Sequence, residues 1–344
     1  MNDLRALLEA AEVDVIVVLS PSNTYYYSGY ESSNAQIVAT KQTAYFVTDS
    51  RYFSEAAQRL GGEFEVVCGT LRDVLQSVQA EKIGWDSDVS YKQYLQLLSI
   101  ANGRQLVDIG NLIEMQRCVK SAREISLIAK AQEVTDRCFE EILPYIREGV
   151  SEIDVASRLE YLILSKGCSL AFDSIVAFGS NAAVPHAHRS ERKLCQGEFV
   201  LMDFGAKYQG YCSDMTRTIC LGTPSVRQAE VYDCVLQAQL NALEHIKSGL
   251  TGAECDAFAR DALASKGLGE YFTHSLGHGL GVDIHEGLAF SPKCQSVIPS
   301  GSVMSVEPGV YIDGELGVRI EDIVVIEDDG LVDMTKSNKK LIIL

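Results

Sequence analysis

From Met1 to about Asn111 the apolar residues switch repeatedly between the spacing of a helix and that of a strand. Helical spacing covers Leu4 to Ala11, Tyr52 to Leu60, Leu71 to Gln79 and Tyr91 to Ile100. Strand-like runs lie between them, at Val13 to Leu19, Thr43 to Thr48, Phe64 to Val67, Lys82 to Trp85 and Gln105 to Ile109. Such alternation predicts a layered α/β domain. The run Tyr25-Tyr26-Tyr27 reads as half-buried strand surface, with the lining of a substrate entrance as the alternative.

The pattern changes near Gln116, which predicts two domains, 1–115 and 116–344. Ser121 and Glu124 have the spacing of a capping box that opens a long helix, with Ile125, Ile128, Cys138 and Ile142 inward, running toward Pro144. Two stretches one hundred residues apart then share one plan, Gly149 to Gly167 and Gly249 to Gly267. Both start with a capping box, Ser151/Asp154 and Thr251/Glu254, and both end Ser-Lys-Gly with the glycine as a helix stop. A second long helix is expected over about Val226 to Ile246. The second domain therefore reads as an internal duplication, each half running long helix, short helix and hairpin.

The hairpins carry the chemistry. Gly197 to Gly222 reads as two apolar strands bearing Asp203 and Asp214, and a tight turn at Tyr208-Gln209 pairs Lys207 with Gly210 and sets the two aspartates opposite each other. In Gly301 to Glu327 a loop centred on Gly314 sets Glu307 opposite Glu321. The arms match across the repeat, Gly-x5-acid-x-Gly outward and Gly-x3-acid on the return. Facing carboxylates repel, so they call for a cation unless one is protonated or both meet water. Four of them suggest a two-metal centre.

Composition narrows the partners. The 344 residues are 47% hydrophobic and 22% charged, as in a globular protein. Thirty basic against 47 acidic residues leave a net charge of −17, which argues against nucleic-acid binding and for a small peptide or protein partner. The N-terminus has no basic leader and its apolar run is too short to span a bilayer, so a cytoplasmic protein with no membrane association is expected. The ten scattered cysteines fit that compartment, and Cys212, beside the acids, reads as a strand residue facing away.

No histidine precedes His186, which argues against catalysis by the first domain. His186 and His188 precede the first hairpin and His274, His278 and His285 the second, while His245 has the look of helix surface. His186 lies 19 residues after Gly167 and His285 lies 18 after Gly267, so these two are near-equivalents. His278, without a counterpart and set among glycines, is the natural nitrogen ligand in a site of oxygens. Neither His-Glu-x-x-His nor Gly-x-Ser-x-Gly occurs.

The set Met-Asp203-Phe-Gly, Ser-Asp214-Met-Thr-Arg-Thr, Leu-Gly-His278-Gly-Leu-Gly, Ser-Val-Glu307-Pro-Gly and Val-Arg-Ile-Glu321-Asp resembles the pita-bread metallopeptidases, in their Xaa-Pro branch of aminopeptidase P and prolidase. The resemblance implies a creatinase-like α/β N-terminal domain ahead of a duplicated α+β pita-bread domain. It implies Asp203, Asp214, His278, Glu307 and Glu321 as ligands of two divalent ions, usually Mn²⁺ or Co²⁺, and the donor set also admits Fe²⁺ or Zn²⁺. His186, His285 and Arg319 match its substrate and transition-state positions, with His274 and Tyr311 as pocket residues. It makes a homodimer plausible.

On this reading Asp214 and Glu321 bridge two ions whose shared water attacks the bond before proline. Glu307 shuttles the proton, and His285 and His186 meet the oxyanion. Arg319 either binds a substrate carboxylate or positions the metal shell. Methionine aminopeptidase activity is disfavoured because it needs no leading domain of about 110 residues. A metal-free binding module or creatinase-like hydrolase has no reason to keep four facing acids.

Overall fold

The computed structural model describes residues 2–344. It divides into two compact units, Met1–Arg117 and Cys118–Leu344.

The first unit is the layered α/β fold that the alternation predicts. Its helices are α1 (Asn2–Ala10), α2 (Pro21–Ser28), α3 (Phe53–Leu60), α4 (Leu71–Ser77), α5 (Tyr91–Ala101) and α6 (Gly110–Cys118). Its strands are β1 (Val15–Val18), β2 (Ala35–Thr40), β3 (Ala44–Thr48), β4 (Glu65–Cys68), β5 (Lys82–Trp85) and β6 (Gln105–Asp108), in the order β4-β3-β2-β1-β5-β6. Successive residues of β1 serve opposite faces. Ile16 and Val18 pack with Leu4, Leu8, Ala56 and Ile113, whereas Val15 and Val17 pack with Val74, Leu75 and Leu97.

The tyrosine run is helical, which corrects the strand expectation. Pro21 opens α2 and Gly29, at φ 64°, closes it, and these stop signals outweigh the sheet preference of three tyrosines. β2 and α6 also went unpredicted.

The second unit repeats one plan. Its first half contains α7 (Ala122–Ile142), α8 (Glu152–Ser165), β7 (Ser169–Leu170), β8 (Ile175–Phe178), β9 (Glu198–Phe204), β10 (Ala206–Tyr208), β11 (Tyr211–Cys212) and β12 (Met215–Leu221). The second half contains α9 (Val226–His245), α10 (Gly252–Ser265), β13 (Gly277–Gly279), β14 (Glu286–Phe290), β15 (Val303–Val306), β16 (Gly309–Ile312), β17 (Leu316–Arg319), β18 (Asp322–Glu327) and β19 (Gly330–Asp333). The capping boxes at Ser121/Glu124, Ser151/Asp154 and Thr251/Glu254 are all formed, and Gly167 and Gly267 end their helices at φ 76° and 73°. Each half has its own core, one around Leu159, Phe178 and Met202 and the other around Val235, Leu263 and Val324.

The two halves meet through a buried ion pair. Arg217 of β12 donates to Asp322 of β18 at 2.7 Å, and its guanidinium also donates to the carbonyls of Glu321 (2.6 Å) and Ser337 (2.9 Å). Both side chains are essentially inaccessible. Burial opposes ionisation of Asp322, but Arg217 and Lys339 outweigh it and hold the carboxyl below its ordinary range.

Removing Arg217 leaves the buried Asp322 carboxylate with Lys339 as its remaining cation and takes the donor from the buried Glu321 and Ser337 carbonyls. Arg217→Met is therefore expected to cost about 3–5 kcal/mol of unfolding free energy in urea titration. A loss below about 1 kcal/mol, the scale of an exposed pair, would contradict the assignment.

Candidate metal centre

Each hairpin breaks part-way along, and three of the acids sit in the breaks. The first is two ladders, β9 with β12 and β10 with β11, separated at Gly205 on one arm and at Ser213-Asp214 on the other. The second is β15 with β18 and β16 with β17, separated at Glu307-Pro308 and at Ile320-Glu321. A side chain on Gly205 would strike the Ser213 carbonyl, its Cβ lying 1.9 Å away. That close approach needs glycine, and it places Asp214 where the strand leaves its ladder.

The second hairpin has the expected register, since Gly309 pairs with Arg319 and Val306 with Asp322, which sets Glu307 across from Glu321. The first does not. Tyr208 pairs with Tyr211 and Asp203 with Thr216, so Asp203 does not face Asp214 directly. The turn is Gln209-Gly210, at φ 44° and 77°, one residue beyond the expected position. A two-residue turn of this hand wants positive φ at both centres, which favours Gln-Gly over Tyr-Gln. Moving the turn by one residue moves the register by two, and a hydroxyl replaces a like charge opposite Asp203.

Asp203, Asp214, His278, Glu307, Arg319 and Glu321 line one cavity of about 450 Å³. Asp214 and Glu321 are buried, whereas Asp203, His278 and Glu307 are half-buried. Ligand atoms of Asp214, His278 and Glu321 all lie within 4.8 Å of one another. Nε2 of His278 is 3.3 Å from Glu307 Oε1 and 3.6 Å from Asp214 Oδ2. Its Nδ1 lies 3.2 Å from the Gly279 carbonyl, which can only accept, so Nδ1 carries the proton. Burial lowers the His278 pKa, outweighing the Gly279 carbonyl contact that raises it. A bare Nε2 lone pair thus faces two carboxylate oxygens with no donor between them.

The carboxylates show the same conflict. Burial raises Asp214 well above its ordinary pKa, and Glu321, Asp203 and Glu307 push it further. Glu321 is raised by burial, then by Glu307 and Asp203. Burial pushes Glu307 up to about 7. Among the described residues, Oδ1 of Asp203 and Oδ1 of Asp214 are buried without a hydrogen-bond partner. Converging acceptors with orphaned oxygens fit divalent cations, whose charge satisfies all of them together.

Arg319 supports this array from behind. Its guanidinium donates to Asp203 Oδ2 (2.6 Å), the Tyr311 hydroxyl (2.8 Å), Thr216 Oγ1 (2.9 Å) and the Pro185 carbonyl (3.3 Å). All three nitrogens are engaged and the side chain is 4% exposed. Thr216 passes the contact on, donating to Glu321 Oε2 at 2.7 Å. Ser305 donates to Glu307 Oε1 at 3.1 Å. Neither Thr216 nor Ser305 was singled out from the sequence. Each is two residues from a carboxylate on its strand, and a period-two reading of the strand face finds both.

His274 joins the same network. Nδ1 lies 2.8 Å from the Ser275 carbonyl and Nε2 2.8 Å from the Tyr311 hydroxyl. Burial pushes its pKa down to about 4, so the ring is neutral, donates through Nδ1 and accepts from Tyr311. Tyr311 stands behind His274, buried, rather than on the cavity wall. His186 and His285 both line the cavity with exposed rings, and His285 stands edge-on to His278 at 4.3 Å between centroids. His188 is exposed and does not line the cavity. Cys212 is buried, its thiol toward the Val282 carbonyl.

Residues 126–328 match metallopeptidase family M24, and residues 1–119 match the creatinase/prolidase N-terminal domain. The chain belongs to metallopeptidase family M24. An Xaa-Pro dipeptidase of Pyrococcus horikoshii is 35% identical over 339 residues, covering 97% of this chain and 96% of that protein. Among solved structures, an Xaa-Pro dipeptidase from Bacillus anthracis is 39% identical with a TM-score of 0.94, covering 100% of this chain and 98% of that one. An X-Pro aminopeptidase from Thermotoga maritima is 34% identical with a TM-score of 0.93, covering 100% and 99%. The enzyme is thus a metallopeptidase of this family, with the creatinase-type N-terminal domain and the M24 catalytic domain. Among the described residues no helix is long and apolar enough to cross a membrane.

The repulsion makes a prediction about the metal-free enzyme. Glu321→Gln removes one of the crowded charges while keeping an acceptor for Thr216, so the chelated variant should melt above chelated wild type. Adding Mn²⁺ at roughly 100 times its Kd should stabilise wild type by about 2.7 kcal/mol for each ion bound and the variant by less. A chelated variant that melts below chelated wild type contradicts the picture of mutually repelling carboxylates.

Proposed function

We propose that this chain hydrolyses the peptide bond preceding proline, and that Asp203, Asp214, His278, Glu307 and Glu321 would hold two divalent cations. The observation that carries the proposal is the acceptor array itself: a bare imidazole nitrogen and four carboxylates line one peptide-sized cavity, and Oδ1 of Asp203 and Oδ1 of Asp214 remain buried there without a hydrogen-bond partner. The Xaa-Pro names of the relatives from Pyrococcus, Bacillus and Thermotoga supply the substrate class.

Bound there, divalent cations supply Lewis-acid polarisation of a carbonyl and acidify water at neutral pH, and Mn²⁺ suits a set dominated by carboxylate oxygen. The rest is done by side chains. Glu307, beside the attacking water, accepts its proton and returns it to the departing proline nitrogen. His285 and His186, exposed at the cavity, donate to the carbonyl oxygen as it gains charge. Phe172, Ile175, Pro185 and Ile284 give the cavity an apolar wall for the proline ring. The substrate bond is a tertiary amide, so the wall has no amide N–H to satisfy. Arg319, with every nitrogen engaged, holds Asp203, Tyr311 and Thr216 in place; this favours a positioning role over direct capture of a substrate carboxylate.

Cleavage assays with Mn²⁺ test the proposal, comparing an Xaa-Pro dipeptide, an Xaa-Pro tripeptide and a Met-Ala peptide. Cleavage before proline is expected and the relative rates assign the length preference; hydrolysis of the Met-Ala peptide alone overturns the reading. In the same assay Glu307→Gln should nearly abolish turnover. His285→Ala should lower kcat roughly 10²- to 10³-fold, the scale for losing one oxyanion donor, with metal content intact. His188→Ala should be near wild type. Damage by His188→Ala equal to that by His285→Ala, with His186→Ala silent, would show that the wrong histidine of the pair has been chosen.

A further inference from the structure

His285 sits on residues 280–285, which connect β13 to β14. The residue is exposed and its ring stands edge-on to His278, so the backbone that carries it sets how far the ring reaches into the cavity. That backbone is fastened along its length. The Leu280 N–H donates to the Val303 carbonyl at 3.2 Å, the Cys212 N–H to the Gly281 carbonyl at 2.7 Å, and Lys207 Nζ to the Val282 carbonyl at 2.8 Å.

The residue next to His285 closes the segment from inside. Glu286 Oε1 accepts the Asp283 N–H at 2.9 Å, and Oε2 faces Lys120 Nζ at 3.3 Å. Their side chains are only 4% and 2% exposed. A Cβ on Gly281 would lie 2.7 Å from Oε2, so glycine there leaves the room the carboxylate occupies. Lys120 is itself fixed to the base of the strand that leads to Glu307: its N–H donates to the Gly301 carbonyl at 2.9 Å, and Val119 pairs with Ser302. Neither Lys120 nor Glu286 lines the cavity. A buried pair gains little net stability over apolar replacements, and its attested use is to select one arrangement among several.

We propose that Lys120 and Glu286 are positioning residues for the reaction, a buried ion pair that locks the His285 segment to the strand that leads to Glu307. This rests on the proposed role of His285 as oxyanion donor. A donor displaced by a fraction of the hydrogen-bond length loses its effect in the transition state while substrate binding persists.

The test is a double-mutant cycle in the Mn²⁺-loaded full chain, read as kcat and KM on an Xaa-Pro peptide, with metal content measured on every variant. Lys120→Met should lower kcat roughly 10- to 100-fold, leaving KM and bound metal near wild type. In the His285→Ala background the same substitution should have almost no further effect, because contacts that act through one group are not additive. If Lys120→Met does not fold, Lys120→Met with Glu286→Gln removes both charges while Gln retains an acceptor for the Asp283 N–H, and the same pattern is expected. Full activity of the folded variant, or losses that add to those of His285→Ala, overturns the positioning role and leaves the site reading intact. His285→Ala at the wild-type rate overturns the site reading itself, and the positioning role with it.

Discussion

The structure turns on a conflict between acceptors. Two hairpins bring carboxylates together, beside an imidazole lone pair from β13, in a partly buried space where the charges are poorly hydrated and repel one another. No arrangement of these side chains alone satisfies them, which is why burial and mutual repulsion raise the pKa of Asp214 and Glu321. A fold can hold such an array only if the surrounding backbone and cations are rigid enough to resist the repulsion, or if ions enter to relieve it.

The rigidity comes from two arginines on adjoining strands. Arg319 reaches toward the cavity and binds Asp203, Tyr311 and Thr216, while Arg217 lies behind and binds Asp322 and the Glu321 carbonyl. Thr216 joins the two systems, because its hydroxyl serves Arg319 and Glu321 and its carbonyl accepts from Arg217. Fixing one hairpin therefore fixes the other. The breaks in the ladders complete the arrangement, since acids placed there leave the sheet face and point into the cavity.

Much of this was legible in the sequence because the duplication states it twice. The capping boxes at Ser151 and Thr251, the glycine stops, and the repeated spacing of acid to glycine all depend on local backbone chemistry, which short-range patterns record well. The register of the first hairpin was not legible, because a choice between Tyr208-Gln209 and Gln209-Gly210 depends on φ angles that only the preference for Gly decides. The helical state of Tyr25 to Tyr27 was missed because side-chain preference was weighed above the proline and glycine that bracket it. Arg217, Lys120 and Glu286 went unread for a different reason. Their partners lie 105 and 166 residues away, and nothing in a local pattern marks a charge as buried.

On the proposed function, this acceptor array works only with divalent cations in it. The most direct measurement is the rate of Xaa-Pro cleavage by protein stripped with a chelator, before and after Mn²⁺ is restored, with bound metal determined at each stage. Activity is expected to be lost on stripping and to recover as metal returns. Undiminished cleavage by protein shown to hold no metal would contradict the proposed function.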